Sequence, residues 1–241
     1  MNPQTFLSNL EQQPGLTGAE SFEGFAILGV SFRSGHTLAF RSFAHSSVGP
    51  AFSAVWMREP GGDWRIFSTA PASASDANYL RPALFDQVEV REEWLDPWTL
   101  RVSIPAIRME WVSEFAESRS SSLVSAVISR MPAFVVRSAP GAGLISRVAG
   151  RLLHAGKLRL RGMVPNGQRF MLRPDAIWEV RASEAQIGDF HLGDVVTPRS
   201  QQRRADFWIP VRPIAIAGSV EFRRVRESVT EPLPRAANAS R

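Results

Sequence analysis

Apolar and polar residues alternate with a period of two along most of this chain, and that alternation predicts strands. Residues 25–33 read as an apolar strand, Ser34-Gly35 as a tight turn, and 36–43 as the partner strand. Residues 51–58 set Phe52, Ala54, Trp56 and Arg58 on one side against Ser53, Val55 and Met57 on the other. Pro60-Gly61-Gly62-Asp63 then turns the chain into a return strand at 64–69, completing a four-stranded meander. The Ala- and Ser-rich stretch 71–82 breaks the alternation and predicts a short helix capped by Ser73 or Ser75. Strands resume at 87–91, 99–104 and 107–112, with a turn at Asp96-Pro97 and an edge or bulge at Pro105.

The period changes in the middle of the chain. Leu123, Val124, Val127, Ile128 and Met131 recur at helical spacing, and Ser120 to Ser122 offer an N-cap. Leu144, Val148 and Leu152 stand four apart and predict a second helix ending near Gly156. Alternation returns at 157–163, followed by Pro165-Asn166-Gly167, a strong hairpin signal, and by strands at 168–173, 175–182, 205–209 and 218–225. The expected organisation is an irregular or partly helical lead-in (1–24), one β-rich domain (25–228) with a helical insertion at 118–156, and a loose tail (229–241). Many short antiparallel strands joined by turns point to a mainly β fold. We expect an antiparallel lipocalin-like barrel or twisted β-sandwich with two inserted helices.

Composition narrows the chemistry. The chain has 241 residues, 44% apolar and 21% charged, with a net charge of +5 and no cysteine. The absence of cysteine excludes disulfides, thiolate metal sites and cysteine nucleophiles. Lys157 is the only lysine, in an alternating basic stretch that reads as an exposed strand face, so Schiff-base chemistry would have to use it. Residues 118–174 hold ten cations and no acidic residue, the sharpest charge asymmetry in the chain. With no cationic and apolar leader at the start and no run of spanning length, the expectation is a cytoplasmic protein that could still touch a membrane.

The histidines show no metal-ligand spacing, no Gly-x-Ser-x-Gly elbow is present, and Gly141-x-Gly143-x-x-Ser146 lacks the third glycine and the later acidic residue of a dinucleotide site. No cofactor, metal or nucleic-acid partner is expected. Six of the tryptophans fall in or beside strands, and they either fill a core or line an apolar cavity. Trp56 and Arg58 share a strand face, Arg41 lies on the neighbouring strand, and His36, Trp111 and Trp178 complete the candidate ligand-binding set. A buried arginine there would suit the anionic head of an apolar ligand. Candidate acid–base groups are Asp76 with nearby Tyr79, Asp189, and His45 in the loop at 44–50. Arg130, Arg137, Arg147 and Arg151 could instead set an amphipathic helix on anionic headgroups.

Several segments together carry a resemblance: 25–30 with Ser34-Gly35-His36, 46–50, Val55-Trp56-Met57-Arg58 with Gly62-Asp63-Trp64, 162–168, and Ile177-Trp178-Glu179-Val180 with Ala185, Gly188, Asp189, Leu192 and Gly193. Over roughly residues 22–225 they resemble a bacterial family of uncharacterised proteins. The later set is distantly similar to the carotenoid-hydratase-like branch of the calycins, which are lipocalin-related. That resemblance implies a calycin-like β fold and a hydrophobic ligand, lipid or isoprenoid-like. The expected functions are binding of such a molecule, a cofactor-independent hydratase or isomerase acting on it, or a peripheral membrane role.

Overall fold

A computed structural model describes residues 1–11, 20–130 and 138–224. A short helix, α1 (Pro3–Glu11), precedes the strands β1 (Glu20–Ser31), β2 (Thr37–Ser46), β3 (Phe52–Arg58) and β4 (Trp64–Ser68). A 3-10 turn at Ala72–Ala74 and the one-turn helix α2 (Ala77–Leu80) lead to β5 (Leu84–Gln87), β6 (Arg91–Asp96), β7 (Thr99–Ile104) and β8 (Met109–Ala116). Two longer helices follow, α3 (Arg119–Arg130) and α4 (Ala139–Leu152). The remaining strands are β9 (Arg161–Met163), β10 (Arg169–Ile187), β11 (Phe190–His191), β12 (Arg203–Arg204), β13 (Phe207–Trp208) and β14 (Ile214–Arg223).

Ten strands form one sheet in the order β5-β4-β3-β2-β1-β14-β10-β8-β7-β6, with β9 and β11 added beside β10. All neighbours are antiparallel except β4 and β5, which α2 connects as a parallel pair. The sheet curls into a half-barrel. Phe25 on β1 meets Phe115 on β8 edge-to-face at 5.5 Å, although β14 and β10 separate the two strands within the sheet. At the far edge, Glu92 of β6 accepts hydrogen bonds from Ser42 of β2 and Ser53 of β3. The concave side is packed with Ile27, Phe40, Val55, Phe67, Leu100, Val102, Trp111 and Trp178. The fold is therefore mainly β and barrel-like, as the alternation implies.

Two layers cover the convex side. Val124 and Ile128 of α3 and Ala142, Ile145, Ala149 and Leu153 of the α4 segment pack on Ala26, Leu28, Ile177 and Ile216. Tyr79 and Leu80 of α2 pack beside Phe22, Phe43, Phe52 and Phe222. Central strand β1 is consequently buried on both faces from Gly24 to Ser31, which explains its continuous apolar run. Strand β8 faces water on one side and keeps strict alternation, with Met109, Trp111, Ser113 and Phe115 pointing inward.

Several boundaries differ from the sequence reading. The helix allowed in the lead-in is α1, but β1 starts at Glu20 and not at 25, because Phe22 is drawn into an aromatic cluster. The strand expected at 87–91 is replaced by β5 and β6 on either side of it, since β5 is set by a non-local parallel pairing. Pro105 opens a 3-10 turn between β7 and β8 instead of a bulge. Strands 168–173 and 175–182 are one strand, β10, with its irregularity at Pro174. The strand expected from Lys157 begins only at Arg161, and the one expected at 205–209 shrinks to β13, paired with β12 just before it. Gly141 and Gly143 lie inside α4, whose N-cap Ser138 accepts a bond from the Gly141 amide. The expected tail at 229–241 lies outside the described residues. Among the described residues, no helix is long and apolar enough to cross a membrane.

Candidate functional site

On the convex side, Gly24 of β1 stands directly opposite Gly218 of β14. Two side chains are thus missing from one spot of the sheet, and neither can be restored. A Cβ on Gly24 would meet the Ser42 carbonyl oxygen, and one on Gly218 (φ +152°) would meet that of Arg173. Above this floor lies an apolar cavity of ≈ 60 Å³, lined by Phe22, Phe43, Leu80, Phe170, Phe207 and Phe222.

Three polar side chains enter that cavity from three elements: Arg41 of β2, Trp56 of β3 and Asp76 at the start of α2. Arg41 is 4% exposed, and its Nη1 donates to the carbonyls of Ile27 and Phe40, each at 2.7 Å. Its guanidinium lies 4.2 Å from the Trp56 ring centroid, a cation–π stack, with Phe207 at 5.6 Å. Trp56 Nε1 donates to Asp76 Oδ2 at 2.6 Å. Asp76 precedes α2 without making a side-chain cap bond, so its carboxylate is turned into the protein.

Two atoms are left over. Arg41 Nη2 and Asp76 Oδ1 are buried without a hydrogen-bond partner, and no ion pair joins the two side chains. Each unsatisfied buried group of this kind costs about 1–3 kcal/mol. Burial pushes the Asp76 carboxyl up to about 6, while the Arg41 charge and the Trp56 N–H pull it part of the way back. The amides of Asp76 and Ala77 add a little to that pull without reaching hydrogen-bond geometry at Oδ1. Burial lowers Arg41 to about 10, with the Asp76 charge opposing it. The site therefore holds one spare N–H donor and one spare carboxylate acceptor, close to charge balance, on side chains that line an apolar space.

The other sequence candidates lie elsewhere. Tyr79 is fully buried beside this site, but its hydroxyl donates to Glu20 Oε2 at 2.9 Å and its ring stacks on Phe222. Burial first, and Glu20 second, raise its pKa well above that of a free phenol. His45 belongs to β2, not to a loop, because that strand extends to Ser46; its Nε2 meets the Leu10 carbonyl and ties α1 down. His36 bonds Ser34 in the β1–β2 turn. Arg58 ends β3, half-buried, outside the cavity lining. Asp189 is an exposed turn residue 3.8 Å from Arg108, so it has no cavity in which to act. Trp111 and Trp178 fill the concave core, donating to Ser183 Oγ and the Met1 carbonyl. Arg130, Arg147 and Arg151 are exposed on α3 and α4, and Arg137 lies outside the described residues. Lys157 is exposed and sits 4.4 Å over the Trp208 ring. Among the described residues, no three His, Asp or Glu side chains gather as a metal site.

Sequence reasoning missed the glycine floor and part of the lining. Gly24 fell at the end of the expected lead-in and Gly218 at the start of the last expected strand, so neither stood out as a glycine inside a strand. Phe207 and Leu80 carried no signal beyond being apolar.

No family model matches the sequence, and no curated protein matches it. Among solved structures, the crystal structure of acetoacetate decarboxylase from Legionella pneumophila is similar over 90% of this chain and 92% of that one. The two share 8% identity, with a TM-score of 0.40.

Proposed function

We propose that this protein binds a small apolar molecule carrying a hydroxyl-type head, held in the convex-side cavity by Arg41 and Asp76. The observation that carries this reading is the pair of unpartnered buried atoms, Arg41 Nη2 and Asp76 Oδ1, on two side chains that line an apolar space. A hydroxyl accepts from the first and donates to the second, so one head group satisfies both. A carboxylate would satisfy the arginine but would face the Asp76 charge above pH 6. The volume of ≈ 60 Å³ suits a head and its first carbons. A longer lipid or isoprenoid-like tail requires Phe207 on the β12–β13 hairpin to move outward. Organic extraction of the purified, folded protein followed by mass spectrometry tests this. An amphiphile with a hydroxyl head, enriched over a mock purification, is expected; a blank, or a carboxylic acid in its place, contradicts the reading.

A second reading rests on the Asp76 value of about 6. A carboxyl titrating near neutrality beside a substrate cavity suits a general acid or base, as in a cofactor-independent hydratase or isomerase. In that case Asp76→Asn abolishes turnover of a bound alcohol while leaving its affinity within a few-fold.

A further inference from the structure

Helices α3 and α4 each bury one apolar stripe and expose another. Val124 and Ile128 of α3, with Ala142, Ile145 and Ala149 of α4, face the sheet. The outward stripes hold Leu123 (54% exposed) and Val127, and then Leu144 (57%), Val148 and Leu152. Ten large apolar side chains are exposed among the described residues, and five of them lie on these two helices. Their concentration makes a patch, where scattered single residues would need no explanation.

Every charged side chain on α3 and α4 themselves is an arginine; just ahead of α3, Glu117 pairs with the N-terminal amine and accepts from Ser122. Arg119 and Arg130 sit at the two ends of the α3 stripe, and Arg147 and Arg151 run alongside the α4 stripe. No salt bridge among the described residues engages any of these four. Beside α4 a groove of ≈ 430 Å³ is lined by Arg147, Arg151, Lys157, Arg159 and Arg161, with no acidic residue on its wall. Asp206, which pairs with Arg159, is the nearest counter-charge. From Ser118 to Pro174 the sequence contains no Asp or Glu.

We propose that the α3–α4 face docks on an anionic membrane surface. The apolar stripes enter the boundary between headgroups and acyl chains, and the basic groove receives lipid phosphates. The charge pattern selects this occupant. A protein partner covering Leu144, Val148 and Leu152 has no need of helices charged by arginine alone, whereas apolar residues interleaved with arginines are what an interfacial helix presents to acidic lipid. This inference stands on observations independent of the cavity.

Co-sedimentation of the full chain with vesicles tests it, comparing phosphatidylcholine alone with phosphatidylcholine containing about one-third phosphatidylglycerol. Binding is expected only to the anionic vesicles, and it should weaken strongly between about 0.02 and 0.5 M salt. Two exposed-site variants follow, each checked for native circular dichroism. Arg147→Gln with Arg151→Gln is expected to weaken binding roughly 25-fold, about fivefold per arginine. Leu144→Ser with Val148→Ser should abolish the remainder at high salt. No binding of folded protein to anionic vesicles at low salt overturns the proposal, as does binding unchanged in both variants. Displacement by inorganic phosphate at constant ionic strength also overturns it, because the groove is then a site for a soluble anion.

Discussion

Replacing Arg41 by methionine keeps much of the apolar stem and removes the cation stacked on Trp56. It leaves the Ile27 and Phe40 carbonyls without their donor and the Asp76 carboxylate without its counter-charge. We expect a loss of about 3 kcal/mol in urea unfolding. Adding Asp76→Asn should then cost less than it does alone, because the charge to be compensated is gone. Asp76 also makes stability depend on pH. Its folded value of about 6 exceeds the ordinary aspartate value of about 3.9, so the native state holds the proton more tightly than the unfolded chain. Its contribution is fully present below about pH 4 and is lost as pH rises through 6. The stability of the wild type relative to Asp76→Asn should therefore fall across that window. A difference that is flat from pH 4 to 7 would show that Asp76 is not buried as described.

At the scale of elements, the glycine pair is the most exposed point of the account. Gly218→Ala places a Cβ against the Arg173 carbonyl at a φ that L-residues rarely adopt. It is expected to destabilise by about 2–4 kcal/mol, whereas Gly61→Ala, with nothing near its Cβ, should change little. Element types were legible where one face is wet, as in β8, and where a turn is local, as at Asn166-Gly167. They were less legible where pairing is long-range. Strand β5 owes its place to β4 rather than to its own sequence, and β10 runs through Pro174 because Gly218 opposite leaves room for the irregularity. Helix α4 carried a subtler ambiguity. Leu144, Val148 and Leu152 announce a helix, yet the face it buries is Ala142, Ile145, Ala149 and Leu153. Two stripes of the same spacing lie on one helix, and periodicity alone does not say which meets the sheet.

At the scale of the molecule, the curl of the sheet decides which candidates meet. Arg41 and Trp56 were recognisable as neighbours across adjacent strands, and Asp76 as a carboxylate in the break that follows. Their convergence depends on α2 folding back over β3, which no local pattern encodes. The same curl sends Trp111 and Trp178 to the concave core and leaves Asp189 on an outer turn. An aromatic strand residue thus carries the same sequence signal whether it fills a core or walls a cavity. The most direct test is calorimetric titration of the folded protein with 1-hexanol and with hexanoate at a pH well above 6. The alcohol is expected to bind at least about tenfold more tightly, an advantage of about 1.4 kcal/mol from meeting both Arg41 and Asp76. The advantage should shrink below pH 6, where protonated Asp76 accommodates a carboxylate. Equal or stronger binding of hexanoate at high pH, or no binding of either, would contradict it.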